Sequence, residues 1–265
     1  MFKVGLIGAG NMGEAIVRGL VNSNTVKSTE IIVSDIDRNR IDTLVERYNV
    51  AGTTSNKRVV ENSQTIFLAV KPKDLQKTLE PLKDSFKEGQ ILISVLAGIP
   101  VEKIQEITDR PYIVRIMPNT PALIGEGAIG LAYGTLPEEK KEEIKKLLQV
   151  LGTVVEVDES LMDAVTGLSG SGPAYVFMFI EGLIQGGIKQ GLSHQQAREL
   201  AVQTVIGAAM MIKETGEHPA VLRDMVSSPA GTTIHGLHVL EEKGLKDAVI
   251  SAVEKATERS RQLAK

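Results

Sequence analysis

Val4-Gly5-Leu6-Ile7-Gly8-Ala9-Gly10-Asn11-Met12-Gly13 decides the fold. An apolar run long enough for one buried strand gives way to G-x-G-x-x-G, and Ala15, Ile16, Val17 and Leu20 continue beyond it as a helical stripe. In a strand, turn and helix of this kind Gly8 makes the tight turn, Gly10 lets the main chain approach a diphosphate, and Gly13 lets the helix pack closely on the strand. The free N–H groups and positive dipole end of the helix then face the phosphates. Gly8, Ala9, Gly10, Asn11, Met12 and Gly13 are therefore the expected dinucleotide contacts. Ile31-Ile32-Val33-Ser34-Asp35 supplies a second strand and completes a βαβ opening.

Outward from that opening, short apolar runs alternate with amphipathic stretches as far as about Val157, the pattern of parallel strands separated by crossover helices. Strands are expected at Lys3–Ile7, Ile31–Ser34, Thr65–Val70, Ile91–Val95, Tyr112–Met117, Gly127–Tyr133 and Val154–Val157. The clearest helices among them are Asn11–Val21, Arg38–Tyr48 and Pro137–Leu151. After Asp158 the β-branched runs stop, and helices are expected at Pro173–Gln190, Ser193–Thr215, Pro219–Met225, Thr232–Lys243 and Leu245–Gln262. The chain thus reads as α/β, with a Rossmann-type doubly wound sheet over residues 1–158 and an all-helical domain over 159–265. Apolar positions as dense as Val176, Phe177, Ile180, Leu183, Ile184 and Ile188 give that second domain a face it cannot bury alone, so a homodimer through the helices is expected.

Composition narrows the function classes. Thirty basic against 33 acidic residues in a chain of 265 leave a net charge of −3, which predicts no partner among nucleic acids or anionic membranes. With no cysteine there is no disulfide, thiolate metal site or cysteine nucleophile, and a reducing cytoplasm fits. His235, His238 and Glu241 are spaced three apart, which carries them around a helix by about 60° per step instead of onto one metal, so no metal site is expected.

Cofactor preference turns on the end of the second strand, where an acidic side chain would accept the ribose hydroxyls of NADH. By spacing from the glycines Ser34 takes that place, and its hydroxyl with Arg38 and Arg40 nearby suits the 2′-phosphate of NADPH. A shift of one residue would put Asp35 there, which keeps NADH open. Ala69-Val70-Lys71-Pro72 and the segment Ser94–Gly98, with Ala97 at its centre, fall where strands deliver their carboxyl ends to the ligand crevice.

The second anion site is Ser227-Ser228-Pro229-Ala230-Gly231-Thr232-Thr233-Ile234, a small-residue loop opening a helix, dense in hydroxyls and N–H donors and without an ionisable side chain. A simple helix cap would need one Ser or Thr, so a bound anion is the stronger reading.

Four stretches in order, IGAGNMG from Ile7, RIMPNTP at Arg115–Pro121, TGLSGSGPAY at Thr166–Tyr175 and SSPAGTTIHGLHVLE at Ser227–Glu241, make the chain resemble the Δ1-pyrroline-5-carboxylate reductase family over nearly its whole length. That resemblance implies hydride transfer from NAD(P)H to a cyclic imine, giving L-proline. It implies that Ser228 and the amides of Gly231, Thr232 and Thr233 hold the substrate carboxylate, and that the Thr233 hydroxyl bonds the ring nitrogen as the catalytic contact. It further implies cofactor contacts at Asn56 and, near the nicotinamide, at Asn119. The family usually has Gly-Gly where this chain has Ala230-Gly231, a cost of about 1 kcal/mol or more if the first position needs positive φ. A β-hydroxyacid dehydrogenase would need a proton-donating lysine that Thr166–Ile188 lacks. A non-catalytic dinucleotide sensor would leave the hydroxyl-rich loop without a purpose.

Overall fold

The computed structural model describes residues 1–263, which pack as two compact units. The first, Met1–Ser171 with the chain from Glu254 onward, is built on one sheet. Its strands are β1 (Phe2–Ile7), β2 (Ile31–Ser34), β3 (Ala51–Thr53), β4 (Ser63–Leu68), β5 (Ile91–Ser94), β6 (Tyr112–Met117), β7 (Gly127–Ala132) and β8 (Gly152–Glu156), in the spatial order β3-β2-β1-β4-β5-β6-β7-β8. All neighbours are parallel except β6 and β7. A parallel return needs a crossover of roughly a dozen residues or more, and residues 118–126 offer only a short 3-10 turn, so β7 comes back antiparallel.

Helices α1 (Asn11–Asn22), α2 (Arg38–Tyr48), α3 (Asn56–Asn62), α4 (Leu75–Leu79), α5 (Val101–Gln105) and α6 (Glu138–Leu148) connect the strands, and α7 (Met162–Val165) follows the sheet. Alternate strand residues enter opposite layers. Leu6, Val33, Ile93 and Val114 pack with Ile16 and Leu20 of α1, whereas Ile7, Ile32, Ile66 and Ile113 pack with Val59, Leu79 and Phe86. With both faces covered, β2 and β5 read as continuous apolar runs without alternation.

Chain order turns back between β1 and β4. The chain winds outward from β1 to β3, then crosses to β4 on the other side of β1, which opens a crevice at their carboxyl ends. The one strand the sequence did not announce is β3: three residues with a central glycine carry no periodic signal, and pairing with the already formed edge of β2 makes them a strand. The expected Thr65–Val70 strand runs Ser63–Leu68, because Ala69 and Val70 are turned out at the crevice.

The second unit, Gly172–Val253, contains α8 (Gly172–Lys189), α9 (His194–Thr215), α10 (Pro219–Met225), α11 (Thr232–Glu242) and the start of α12 (Leu245–Leu263). Among α8 to α11 only Ala197 and Ala201 are buried, while Phe177 is 61% and Met178 76% exposed. Packing divides the chain after Ser171 and returns the end of α12 to the sheet unit, where Ser260 donates to Asp163 Oδ1 at 2.6 Å. Among the described residues no helix is long and apolar enough to cross a membrane.

Gln90 is a hidden brace of this unit, donating through Nε2 to the carbonyls of Val60 and Ser63 at 2.7 Å each and accepting the Lys87 N–H at 2.7 Å, so it ties α3 to the start of β4. Gln90→Leu strands all three main-chain groups. A loss of about 2–4 kcal/mol is expected, read as a fall of roughly 5–10 °C in the melting temperature by circular dichroism.

Candidate functional site

The carboxyl ends of β1, β2, β4, β5 and β6 lie along one edge of the sheet and carry most of the residues singled out from sequence. Gly8 has φ +105° and receives its shape from its neighbours: its N–H donates to Ser34 O at 2.8 Å, and a Cβ there would collide with the carbonyl of Ala69. Ala69 in turn donates to Ile7 O at 2.8 Å, so β1 and β4 clamp the turn between them. A Cβ on Gly13 would strike the carbonyl of Gly8, which is why α1 can start directly on the turn. Gly10 differs, for the only atom near its missing Cβ is Arg40 Nη1 at 3.6 Å. It caps α1 without a side-chain hydrogen bond, and the N–H groups of Asn11, Met12 and Gly13 have no acceptor within the helix. Space over Gly10, unpaired donors and a nearby guanidinium together fit the diphosphate of a dinucleotide.

Around this turn the crevice is lined by Ala69 and Val70, both half-buried, by exposed Lys71 and Pro72, and by half-buried Ala97. Asn56 opens α3, and its Oδ1 accepts the Ser34 hydroxyl at 2.8 Å. That bond corrects the expectation for Ser34. Its side chain has no exposed surface and its Oγ is shared between Leu6 O and Asn56, so it cannot meet a 2′-phosphate. Asp35, one residue on, stands at the crevice instead and accepts the Ala9 N–H through Oδ2 at 2.7 Å. Asn119 also proves to be engaged. Its Nδ2 donates to Ser169 O and its Oδ1 accepts the Ala128 N–H, each at 3.0 Å, which fixes the orientation of the amide. The side chain instead anchors the π-turn Thr166–Gly170 in which the TGLSG stretch is wound.

In the second unit the loop Ser227–Gly231 runs into α11. Gly231 caps the helix, and a Cβ on it would collide with the Ser228 hydroxyl as that side chain is placed, so glycine lets the hydroxyl lie against the helix start. Its own N–H donates to Ser228 O at 3.0 Å. Gly231 is thus not a free donor, and the outward donor set begins with Thr232 and Thr233. No hydrogen bond involves the half-buried Thr233 hydroxyl among the described residues. His235 Nδ1 lies 2.9 Å from Gly231 O; a carbonyl only accepts, so Nδ1 carries the hydrogen and the ring steadies the cap. Ala230 holds φ +56°, so the position where the family pattern has glycine does need the left-handed conformation.

A glycine turn at the switch point of a doubly wound sheet is the arrangement of the dinucleotide-dependent oxidoreductases, the class to which the comparisons also point. Residues 159–263 match the family model described as pyrroline-5-carboxylate reductase dimerisation, and residues 3–98 that of the coenzyme F420-dependent NADP oxidoreductases. Over 99% of this chain and 98% of the relative, it is 42% identical to a pyrroline-5-carboxylate reductase of Methanosarcina acetivorans. It is 44% identical to that of Synechocystis, again over 99% of this chain and 98% of the relative. The crystal structure of Plasmodium falciparum pyrroline carboxylate reductase with NADP bound superposes with a TM-score of 0.90 at 32% identity, covering 100% of this chain and 98% of that one. The chain belongs to the pyrroline-5-carboxylate reductase family, whose reaction is the NAD(P)H-dependent reduction of an imine in proline biosynthesis.

Exchanging Ala230 for glycine removes the left-handed penalty of an L side chain. Ala230→Gly is expected to stabilise the protein by about 1 kcal/mol, and the β-branched Ala230→Val to destabilise it by more; differential scanning calorimetry on the two variants checks the sign of each.

Proposed function

We propose a division of labour for the reduction of Δ1-pyrroline-5-carboxylate to L-proline. The carboxylate of the imine rests on the N–H groups of Thr232 and Thr233 at the start of α11, with the Ser228 hydroxyl as a further donor. The observation that carries this reading is the Thr233 hydroxyl, left without a partner one residue inside a helix start that is otherwise bare main chain. A hydroxyl both donates and accepts, so Thr233 can hold the ring nitrogen whether or not it carries a proton. Protonation makes the imine carbon a stronger hydride acceptor, and water suffices as the source of that proton. The loop therefore has no need of an acid or base, in keeping with its composition.

Gly8 to Gly13 would hold the diphosphate, Asn56 the adenosine ribose, and the segments Ala69–Pro72 and around Ala97 the part of the cofactor beyond it. When bound, NAD(P)H supplies the hydride that turns C=N into CH–NH. The protein's contribution is to fix the substrate nitrogen and carboxylate so that the imine carbon is presented in near-attack geometry.

Two copies would pair through the helical unit, with the exposed faces of α8 and α9 as the shared surface. Phe177, Met178, Leu200 at 58% exposure and Ile206 at 50% support that pairing, as does the dimerisation family matched by residues 159–263. A chain without cysteine is compatible with a reducing compartment such as the cytoplasm.

Purified protein should oxidise NADPH or NADH on addition of pyrroline-5-carboxylate, and cofactor binding without turnover overturns the assignment. Thr233→Ala is expected to lower kcat/KM by about ten to a thousandfold with the melting temperature unchanged, while Thr233→Ser keeps most of the activity. Sedimentation equilibrium at micromolar concentration should show no monomer.

A further inference from the structure

The loop that opens α11 has little packed around it to fix its shape. Ser228, Pro229 and Ala230 are exposed, and Ala230 holds the left-handed conformation against its own preference. The entry is tied to α10, where Ser227 donates through Oγ to Arg223 O at 2.8 Å and through its N–H to Asp224 O at 3.0 Å. The middle closes on itself through the Gly231 N–H and Ser228 O. At the exit stands the peptide that joins Gly231 to Thr232, and a glycine on one side leaves that plane freer to turn than any other residue would.

The side chain that reaches this peptide is His235, whose Nδ1 donates to Gly231 O at 2.9 Å from four residues further along the chain. A trans peptide is planar, with its C=O and N–H pointing opposite ways, so a ring that holds the Gly231 carbonyl also sets the direction of the Thr232 N–H. That N–H is the first donor of the helix start and has no acceptor inside α11. A hydrogen bond accepted at the carbonyl also polarises the peptide and strengthens the donor at its other end.

We infer that His235 is a positioning residue for the substrate, acting through the peptide between Gly231 and Thr232 to aim the Thr232 N–H at the substrate carboxylate. This rests on the function proposed above, which places that carboxylate at the start of α11. The imidazole serves here as a hydrogen-bond donor and not as bulk, so an amide of the right reach can stand in for it. Asparagine has that reach: Asn62 Nδ2 donates to Arg58 O at 2.8 Å across the same four-residue spacing in α3. Leucine has more of the bulk of histidine and no donor.

Steady-state kinetics on His235→Leu and His235→Asn separate the donor from the bulk. His235→Leu should raise KM for pyrroline-5-carboxylate about tenfold, the scale of losing one well-aimed bond to a charged group, with kcat falling less than about threefold because Thr233 still holds the ring nitrogen. KM for the nicotinamide cofactor should stay at the wild-type value. His235→Asn should return KM for pyrroline-5-carboxylate to within about threefold of wild type. Because His235 is exposed, both variants should keep the cooperative thermal unfolding of the wild type. Wild-type constants in His235→Leu overturn the inference, and so do a His235→Asn variant as impaired as His235→Leu and a fall in kcat with KM unchanged. A wild-type protein that fails to turn over pyrroline-5-carboxylate removes the functional reading and this inference with it. Wild-type constants in His235→Leu beside a Thr233→Ala variant impaired as expected remove this inference alone.

Discussion

The contact that the sheet unit depends on is main chain against main chain: the Cα of Gly8 faces the carbonyl of Ala69 with no room for a methyl group between them. It exists because β1 and β4 are neighbours although β2 and β3 come between them in the chain. From it follow the positive φ at Gly8, the tight approach of Gly13 to the same turn, and the direction in which α1 aims its unpaired N–H groups. Every crevice residue from Asp35 to Ala97 is placed relative to that clamp. The clamp also needs support from below, where β1, β4 and β5 are buried on both faces.

Both candidate ligand sites use the same physical device, a helix N-terminus entered through a glycine, Gly10 at α1 and Gly231 at α11. At α1 the turn before it is shaped by the neighbouring strand, and at α11 by the loop itself, where the Ser228 hydroxyl lies against Gly231. Oriented amides need no reorganisation when a negative group arrives, and they carry no net charge that would hold water or a competing cation. The left-handed Ala230 shows that the loop at α11 keeps its shape against a local preference. The His235 ring, bonded to the carbonyl of Gly231, is part of what holds it there.

Side chains that look like ligands in the linear sequence often turn out to be struts. Asn119 spends both ends of its amide between β7 and the π-turn, and the Ser34 hydroxyl is closed off by Asn56 and Leu6. In both cases the polar group next to a strand end is used to satisfy buried main chain or a buried partner, which is the usual demand on polar atoms in a covered sheet. Ser34 was singled out by its spacing from the glycines and Asn119 by the family resemblance, but neither showed the direction of the side chain.

What the sequence determined by itself was the order of elements and the two glycine-bearing turns. The alternation of apolar and amphipathic stretches is a local pattern, and Gly8, Gly10 and Gly13 announce a close approach whatever surrounds them. The change of texture near Asp158 likewise marked where strands end. Only the tertiary structure decided that β3 is a strand, that α12 returns to the sheet unit through Ser260 and Asp163, that Asp35 and not Ser34 faces the crevice, and that Ala230 is left-handed. Each of these depends on a partner distant in the chain or on a dihedral angle set by closure of a loop. A one-residue change of register turns a side chain from the crevice to the core, and neither composition nor periodicity records which way it points.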